Sequence, residues 1–180
     1  MMINEEEFIQ ELQQEDTREK AFTEMVRQYQ EPLYVYIRRM VLFHEDADDV
    51  LQNTFMKAWN ALDSFRGESR LSTWLYRIAI NESLNHIEKQ KKNRFNSESG
   101  IEAANLLQSD PYFDGDEVQQ LLQEAISKLP KKQRAVFNLK YFQEMKYEEM
   151  SRILDTSVGA LKASYHHAVT KITEFFETKD

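Results

Sequence analysis

Residues 46–81 read DADDVLQNTFMKAWNALDSFRGESRLSTWLYRIAIN, and the spacing of the apolar residues in this stretch decides the fold. Ala47, Val50, Leu51, Thr54, Phe55, Ala58 and Leu62 recur at three- and four-residue steps. That is one stripe of an amphipathic helix, predicted over residues 45–62. Its polar face carries Asp46, Asp49, Gln52, Asn53 and Lys57. Asp63-Ser64-Phe65-Arg66-Gly67-Glu68-Ser69 breaks the period and reads as a loop. Ser72 is then the expected N-cap of a further helix reaching Lys92, because its hydroxyl can accept an orphan backbone N–H. Trp74, Leu75, Ile78, Ala79, Leu84 and Ile87 form that helix's apolar stripe.

Working outward, Phe22, Met25, Val26, Tyr29, Leu33, Tyr36, Ile37 and Met40 predict an earlier helix, interrupted near Pro32. Beyond Arg94 the periodicity fades, and Ser, Asn, Asp, Gly and Pro accumulate as far as Gly115. A flexible acidic linker is expected there, with a short helical turn at residues 102–107. A second helical set follows: Val118–Lys128, stopped by Leu129-Pro130; Lys131–Phe142, with Val136, Leu139 and Tyr141 as core; Tyr147–Leu154; a turn at Asp155-Thr156; and Val158–Phe176. Ser157 caps the last helix, whose one side carries Leu161, Tyr165, Ala168, Val169, Ile172 and Phe176. The expected fold is all-α, with two small helical domains at 1–94 and 117–180 joined by a linker at 95–116.

Composition narrows the function. With 30% charged residues and no long apolar run, the chain does not read as a membrane protein. Its first twenty residues are polar and acidic, unlike a targeting segment. No Cys means no disulfide framework and no thiolate metal site, so a cytoplasmic location is expected. The net charge of −8 is unusual for a nucleic-acid binder, but the charge is sorted. Residues 66–94 hold seven basic and three acidic side chains, residues 95–117 none and six, and residues 128–146 six and one. Such alternation suits a chain that meets both a basic protein and DNA. His44, His86, His166 and His167 do not pair at metal spacing on one helix face, and there is no Gly-rich phosphate loop. No catalytic residue, metal, cofactor or small-molecule substrate is expected.

The last elements have the layout of a helix-turn-helix, in which a short helix braces one whose first turn enters the major groove. An ordinary helical hairpin has the same layout. Ser157, Val158, Gly159, Ala160, Lys162, Ala163, Ser164 and His167 mark the exposed start of that helix. Small residues there let the backbone approach DNA, and the helix N-terminus favours a phosphate.

The stretch 46–81 closely resembles region two of extracytoplasmic-function sigma factors, which direct bacterial RNA polymerase to promoters. The second domain resembles their region four through Leu129-Pro130, Gln133-Arg134, Tyr147-Glu148-Glu149-Met150 and Ser157-Val158-Gly159. The resemblance runs from about residue 20 to 176. It implies that Asp46, Asp49, Gln52, Asn53 and Lys57 dock on the clamp helices of the polymerase's largest subunit, and that region four meets the flap of the second-largest. It implies that Phe65, Arg66, Gly67, Glu68, Ser69, Arg70 and Leu71 hold a base of the melted minus-ten element. Trp74, Arg77 and Asn81 share one helix face at its upstream edge, and Lys89, Lys91, Lys92 and Arg94 neutralise phosphates. Core packing is the competing role for Phe65 and Trp74. Lys146 joins the Ser157–His167 set against the minus-thirty-five element. The family also implies an anti-sigma partner and a linker that threads the polymerase, here resembling RNA in its charge.

One departure stands out. Ser164, His167, Val169 and Thr170 occupy helix positions that are often basic in relatives, and Asp155 stands where the turn often has Gly. Upstream recognition is therefore expected to be weak or shape-driven, with Lys131, Lys132, Arg134, Lys140 and Lys146 compensating through phosphates. A helix-turn-helix regulator that ignores polymerase, or a degenerate sigma that binds it but reads promoters poorly, are the other readings.

Overall fold

The computed structural model describes residues 4–93 and 115–179, and the regular structure among them is all helical. The helices are α1 Glu5–Gln13, α2 Glu15–Val41, α3 His44–Ala61, α4 Leu71–Asn93, α5 Glu117–Ser127, α6 Lys131–Tyr141, α7 Tyr147–Leu154 and α8 Val158–Glu177. A 3-10 turn, Leu62–Ser64, leads from α3 into the loop before α4. Among the described residues no helix is long and apolar enough to cross a membrane.

The acidic amino terminus, to which the sequence reading assigns no job, folds as α1. The Asn4 side chain caps it by accepting from the Glu6 N–H at 3.3 Å. Glu5, Glu6 and Glu7 lie in its first turn, where the helix dipole favours anions. Phe8 and Leu12, four residues apart, are buried against the bundle. Helix α2 then runs unbroken through Pro32, contrary to expectation. A proline inside a helix costs about 3 kcal/mol. Here Met25 on one side of it and Leu33, Tyr36, Ile37 and Met40 on the other are all essentially inaccessible to solvent, and that packing holds the helix through the missing bond.

α2, α3 and α4 make the front bundle, with Val50, Leu62, Leu71, Leu75 and Ile80 completing its centre. The start of α4 differs from expectation. The helix begins at Leu71, and its backbone N–H donates to the Glu5 carboxylate at 2.6 Å. A side chain from α1 therefore satisfies this N-terminus, and Ser72 lies inside the first turn. In the rear bundle, Ala125, Ile126, Leu129, Phe137, Ala168 and Ile172 form a cluster between α5, α6 and α8. Two expected core residues are exposed instead: Tyr141 at 51%, stacked on Phe137, and Val169 at 38%.

The two bundles do not stand apart. The front core continues into Ala135, Val136, Leu139, Met145 and Met150. Helix α6 is buried on more than one side: Phe137 serves the rear cluster, while Val136 and Leu139 are left for the front bundle to cover. Polar contacts line the seam. Arg134 donates to the carbonyls of Met40 at 2.5 Å, Ser127 at 2.8 Å and Leu129 at 3.2 Å. The Tyr76 hydroxyl donates to Gln143 Oε1 at 3.2 Å, and the Thr73 hydroxyl to the Glu149 carboxylate. The Arg39 guanidinium lies 3.8 Å from the centre of the Phe142 ring. The linker expected at 95–116, with its turn at 102–107, lies outside the described residues except for Gly115 and Asp116. Asp116 caps α5 by accepting from the Gln119 N–H at 3.0 Å.

Candidate nucleic-acid interface

Three surfaces carry the residues singled out from sequence. On α3, Ala47, Val50, Thr54, Phe55 and Ala58 turn inward, which leaves Asp49, Gln52 and Asn53 exposed. Met56, at 63% exposed, and Trp59, at 42%, extend this face with apolar surface. Asp46 does not share it. Its carboxylate is largely buried, 3.3 Å from His86 Nε2 on α4. Lys57 is exposed but pairs with Glu82, so it belongs as much to the next surface as to this one.

That second surface is the loop and α4. Phe65 and Leu71 are in the core, which corrects their expected place in an open base pocket. The Phe65 ring stacks on Trp74, centroids 4.6 Å apart and planes at 29°. Arg66, Gly67, Glu68 and Arg70 are left exposed, with Ser69 half-buried. Gly67 has φ +71°, a left-handed conformation that glycine adopts without steric cost. Trp74, Arg77 and Asn81 do share a face, as their spacing predicts. With Lys57 and Asn85 they line an open groove of about 590 Å³. Trp74 is thus both core and surface: one face packs on Phe65 while part of the ring reaches the groove. Lys89 and Lys91 are exposed near the end of α4. The side chains of Lys92 and Arg94 lie outside the described residues.

The third surface is the helix-turn-helix. Asp155 takes φ +49°, ψ 49° at the end of α7, doing the work glycine does elsewhere. Asp tolerates this conformation better than most side chains. Ser157 caps α8 by accepting from the Ala160 N–H at 3.2 Å. Gly159, Ala160, Lys162, Ala163 and His167 are exposed, and Val158 and Ser164 half-buried. A side chain at Gly159 would meet nothing within 4 Å, so the backbone there is open to approach. Lys146 is exposed at the start of α7. Of the expected compensating cations, three are engaged within the protein. Arg134 is buried, which pushes its pKa down to about 10. Lys131 pairs with Glu88 on α4. The Lys140 ammonium lies 4.5 Å from the Tyr147 ring centre and donates to the Met145 carbonyl at 3.3 Å. Lys132 and Lys146 remain exposed.

The end of the loop and the start of α4 face the start of α7. Ser69, Arg70 and Thr73 lie across a cleft of about 580 Å³ from Lys146, Glu149 and Arg152. Among the described residues no group of three or more His, Cys, Asp or Glu is placed to hold a metal ion.

Sequence reasoning missed the residues that hold the loop from behind. Gln13 Nε2 donates to the Phe65 carbonyl, Glu5 accepts from the Leu71 N–H, and Arg18 Nη2 meets Asp63 at 2.5 Å. The available signal was Asn4 ahead of three Glu, with Phe8 and Leu12 one turn apart.

Residues 25–93 match the family model for Sigma-70 region 2, and residues 119–172 that for Sigma-70, region 4. The RNA polymerase sigma-H factor of Pseudomonas aeruginosa is 30% identical over 174 residues, 91% of this chain and 89% of that protein. The ECF RNA polymerase sigma-E factor of Escherichia coli K12 is 33% identical over 160 residues, 83% of each chain. Two solved structures share the fold. The sigma factor RpoE of Bartonella quintana, in complex with the anti-sigma factor NepR, gives a TM-score of 0.70 at 23% identity over 89% of this chain and 99% of that one. CnrH, in complex with the cytosolic domain of CnrY, gives 0.72 at 22% identity over 98% and 99%. With both regions matched in order and relatives similar over most of their length, the chain belongs to the ECF sigma factors of RNA polymerase.

Proposed function

We propose that the three surfaces divide the work of promoter opening. The exposed face of α3, through Asp49, Gln52 and Asn53, docks on the clamp helices of the polymerase's largest subunit. Complementary charge sets the orientation there more than the affinity. The groove of Trp74, Arg77 and Asn81 meets the upstream edge of the melted minus-ten element, and the loop at Arg66–Arg70 takes an unstacked base. Extracting a base costs a few kcal/mol. Stacking and hydrogen bonds to single-stranded bases must offset that cost. Lys89, Lys91, Lys92 and Arg94 hold phosphates. The first turn of α8, with Lys146 beside it, reads the minus-thirty-five duplex, and the flap of the second-largest subunit receives this domain.

The observation that carries the reading is the convergence of Trp74, Arg77 and Asn81 on one groove beside an exposed, glycine-tipped loop. Arg70 of the loop and Lys146 of the rear set line one cleft, so the bundles part for a promoter to reach both. RpoE was solved with the anti-sigma factor NepR and CnrH with the cytosolic domain of CnrY, and this chain too is held by an anti-sigma factor, in the cytoplasm, until released. Residues 95–116 thread the polymerase as an acidic mimic of RNA.

Transcription of genomic DNA by core polymerase, with and without the chain, tests this. New start sites sharing two spaced elements support it; none overturn it. Binding to core without opening instead favours a degenerate sigma, a reading that the thin charge of α8 keeps in play. Asp49→Arg lowers affinity for core without shifting the melting temperature, because the side chain is exposed. Lost folding in place of lost affinity removes Asp49 from the docking face.

A further inference from the structure

Helix α1 precedes residue 25, where the region 2 match begins, yet it reaches the far side of the recognition loop. Three contacts join them. At the loop's entry, Gln13 Nε2 donates to the Phe65 carbonyl. At its exit, the Glu5 carboxylate accepts from the Leu71 N–H at 2.6 Å. Behind its tip, Ile9 Cγ2 lies 3.9 Å from where a side chain at Gly67 would begin. Arg18 ties the end of α1 to the same region: it donates to the carbonyls of Leu12 and Gln13, both at 3.1 Å, and pairs with Asp63 in the 3-10 turn. Within the loop itself, among the described residues, the side-chain hydrogen bond present is Ser69 hydroxyl to Arg70 carbonyl at 3.4 Å. The loop's shape is therefore imposed from outside.

We propose that α1 is a positioning element for the recognition loop: Glu5 and Gln13 fix the two ends of its backbone, and through them set which base it accepts. The proposal rests on the reading that this loop takes a melted base. A site that discriminates by hydrogen bonds needs its groups held to within about half an ångström. Two anchored ends and a backed tip supply that constraint on a segment with almost no bonds of its own. Glu5 is suited to its end of the task. A carboxylate on a helix-terminal N–H makes a charge-assisted bond and complements the positive end of α4. Neither Glu5 nor Gln13 carries the burial that holds α1 in place, since Phe8 and Leu12 do that.

The test uses holoenzyme assembled from core polymerase and the full chain. It is incubated with single-stranded DNA randomised over a short window, and the bound fraction is sequenced. The readout is the enrichment ratio between bases at each position. That ratio does not depend on how much of a variant is folded. Wild type enriches one base at the position served by the loop. Glu5→Ala lowers this ratio about tenfold, the effect expected when a charge-assisted hydrogen bond is lost. Gln13→Ala lowers it about threefold, as for a neutral bond. Glu5→Gln, which keeps an acceptor, recovers most of the preference. Affinity for core is unchanged in all three. An unchanged ratio in both alanine variants overturns the proposal while leaving the base-pocket reading intact. A flat profile in wild type overturns that reading, and the proposal with it. Loss of preference together with loss of core affinity also overturns it, because α1 would then act on the whole bundle.

Discussion

The two surfaces assigned to DNA are built by opposite routes. The rear one is local: Asp155 turns the chain, Ser157 caps α8 three residues from its bonding partner, and Ile153 and Leu161 pack the two helices together. The front one is assembled from afar. Its loop is held by Gln13 and Glu5, 52 and 66 residues distant in sequence, and backed by an aromatic pair that belongs to the bundle core. A locally built surface tolerates change in its side chains as long as the turn survives. A remotely braced one is sensitive to residues that never touch DNA.

The sharpest way to break this contrast is Phe65→Ala. Removing a buried, stacked ring costs about 3–5 kcal/mol. Urea denaturation should show a loss of this size. If stability holds while minus-ten binding collapses, Phe65 is a base contact and the front surface is not bound into the core through it. Next comes Arg134→Ala, which tests how firmly the two bundles are joined. The variant loses charged donors to three carbonyls, and hydrogen bonds to charged groups are worth about 1.5–3 kcal/mol. Calorimetry should show one transition in the wild type and an earlier, separate rear transition in the variant. Two transitions in both proteins, unmoved by the substitution, would mean that Arg134 does not hold the bundles together. A smaller effect is expected from Ser157→Ala. Loss of an N-cap costs about 1 kcal/mol, and it should fall on the rear bundle alone. A matching loss in the front bundle would contradict the local construction of the helix-turn-helix.

The same contrast explains what was legible in the sequence. Helix α7 begins and ends where its period and its turn say, because the chemistry of the Asp155-Thr156 turn is written in adjacent residues. The inward stripe of α3 was legible for the same reason. Pro32 misled, since its local cost is real but packing on both sides exceeds it. Ser72 misled because the α4 N-terminus found a partner on α1. Tyr141 and Val169 fit their helical stripes, yet both stay exposed, because a stripe's period does not say how wide a face its partners cover. Asp46 and Asp49 read alike as acidic positions of one face, but three residues of helix rotate one toward His86 and leave the other in solvent. The joining of the bundles was not legible either, because it depends on which side of α6 each residue faces, and periodicity alone does not choose between two partners.

The gentlest probe concerns charge on the rear surface. Each phosphate neutralised by a cation adds close to one unit to the slope of log affinity against log salt. On the exposed start of α8, Lys162 is the cation among the residues assigned to DNA, and its ammonium lies 5.7 Å from the Tyr147 ring centre. Lys162→Ala should lower the slope for duplex binding by about one and leave core affinity untouched. His167→Arg should raise it by about one, since the side chain is exposed on the same helix and a guanidinium is always charged. A front surface that reads single strands by stacking should hardly notice either change. If Lys162→Ala alters the minus-ten preference as much as the upstream affinity, the two surfaces are not separate readers. The cleft shared by Arg70 and Lys146 would then belong to a single binding site.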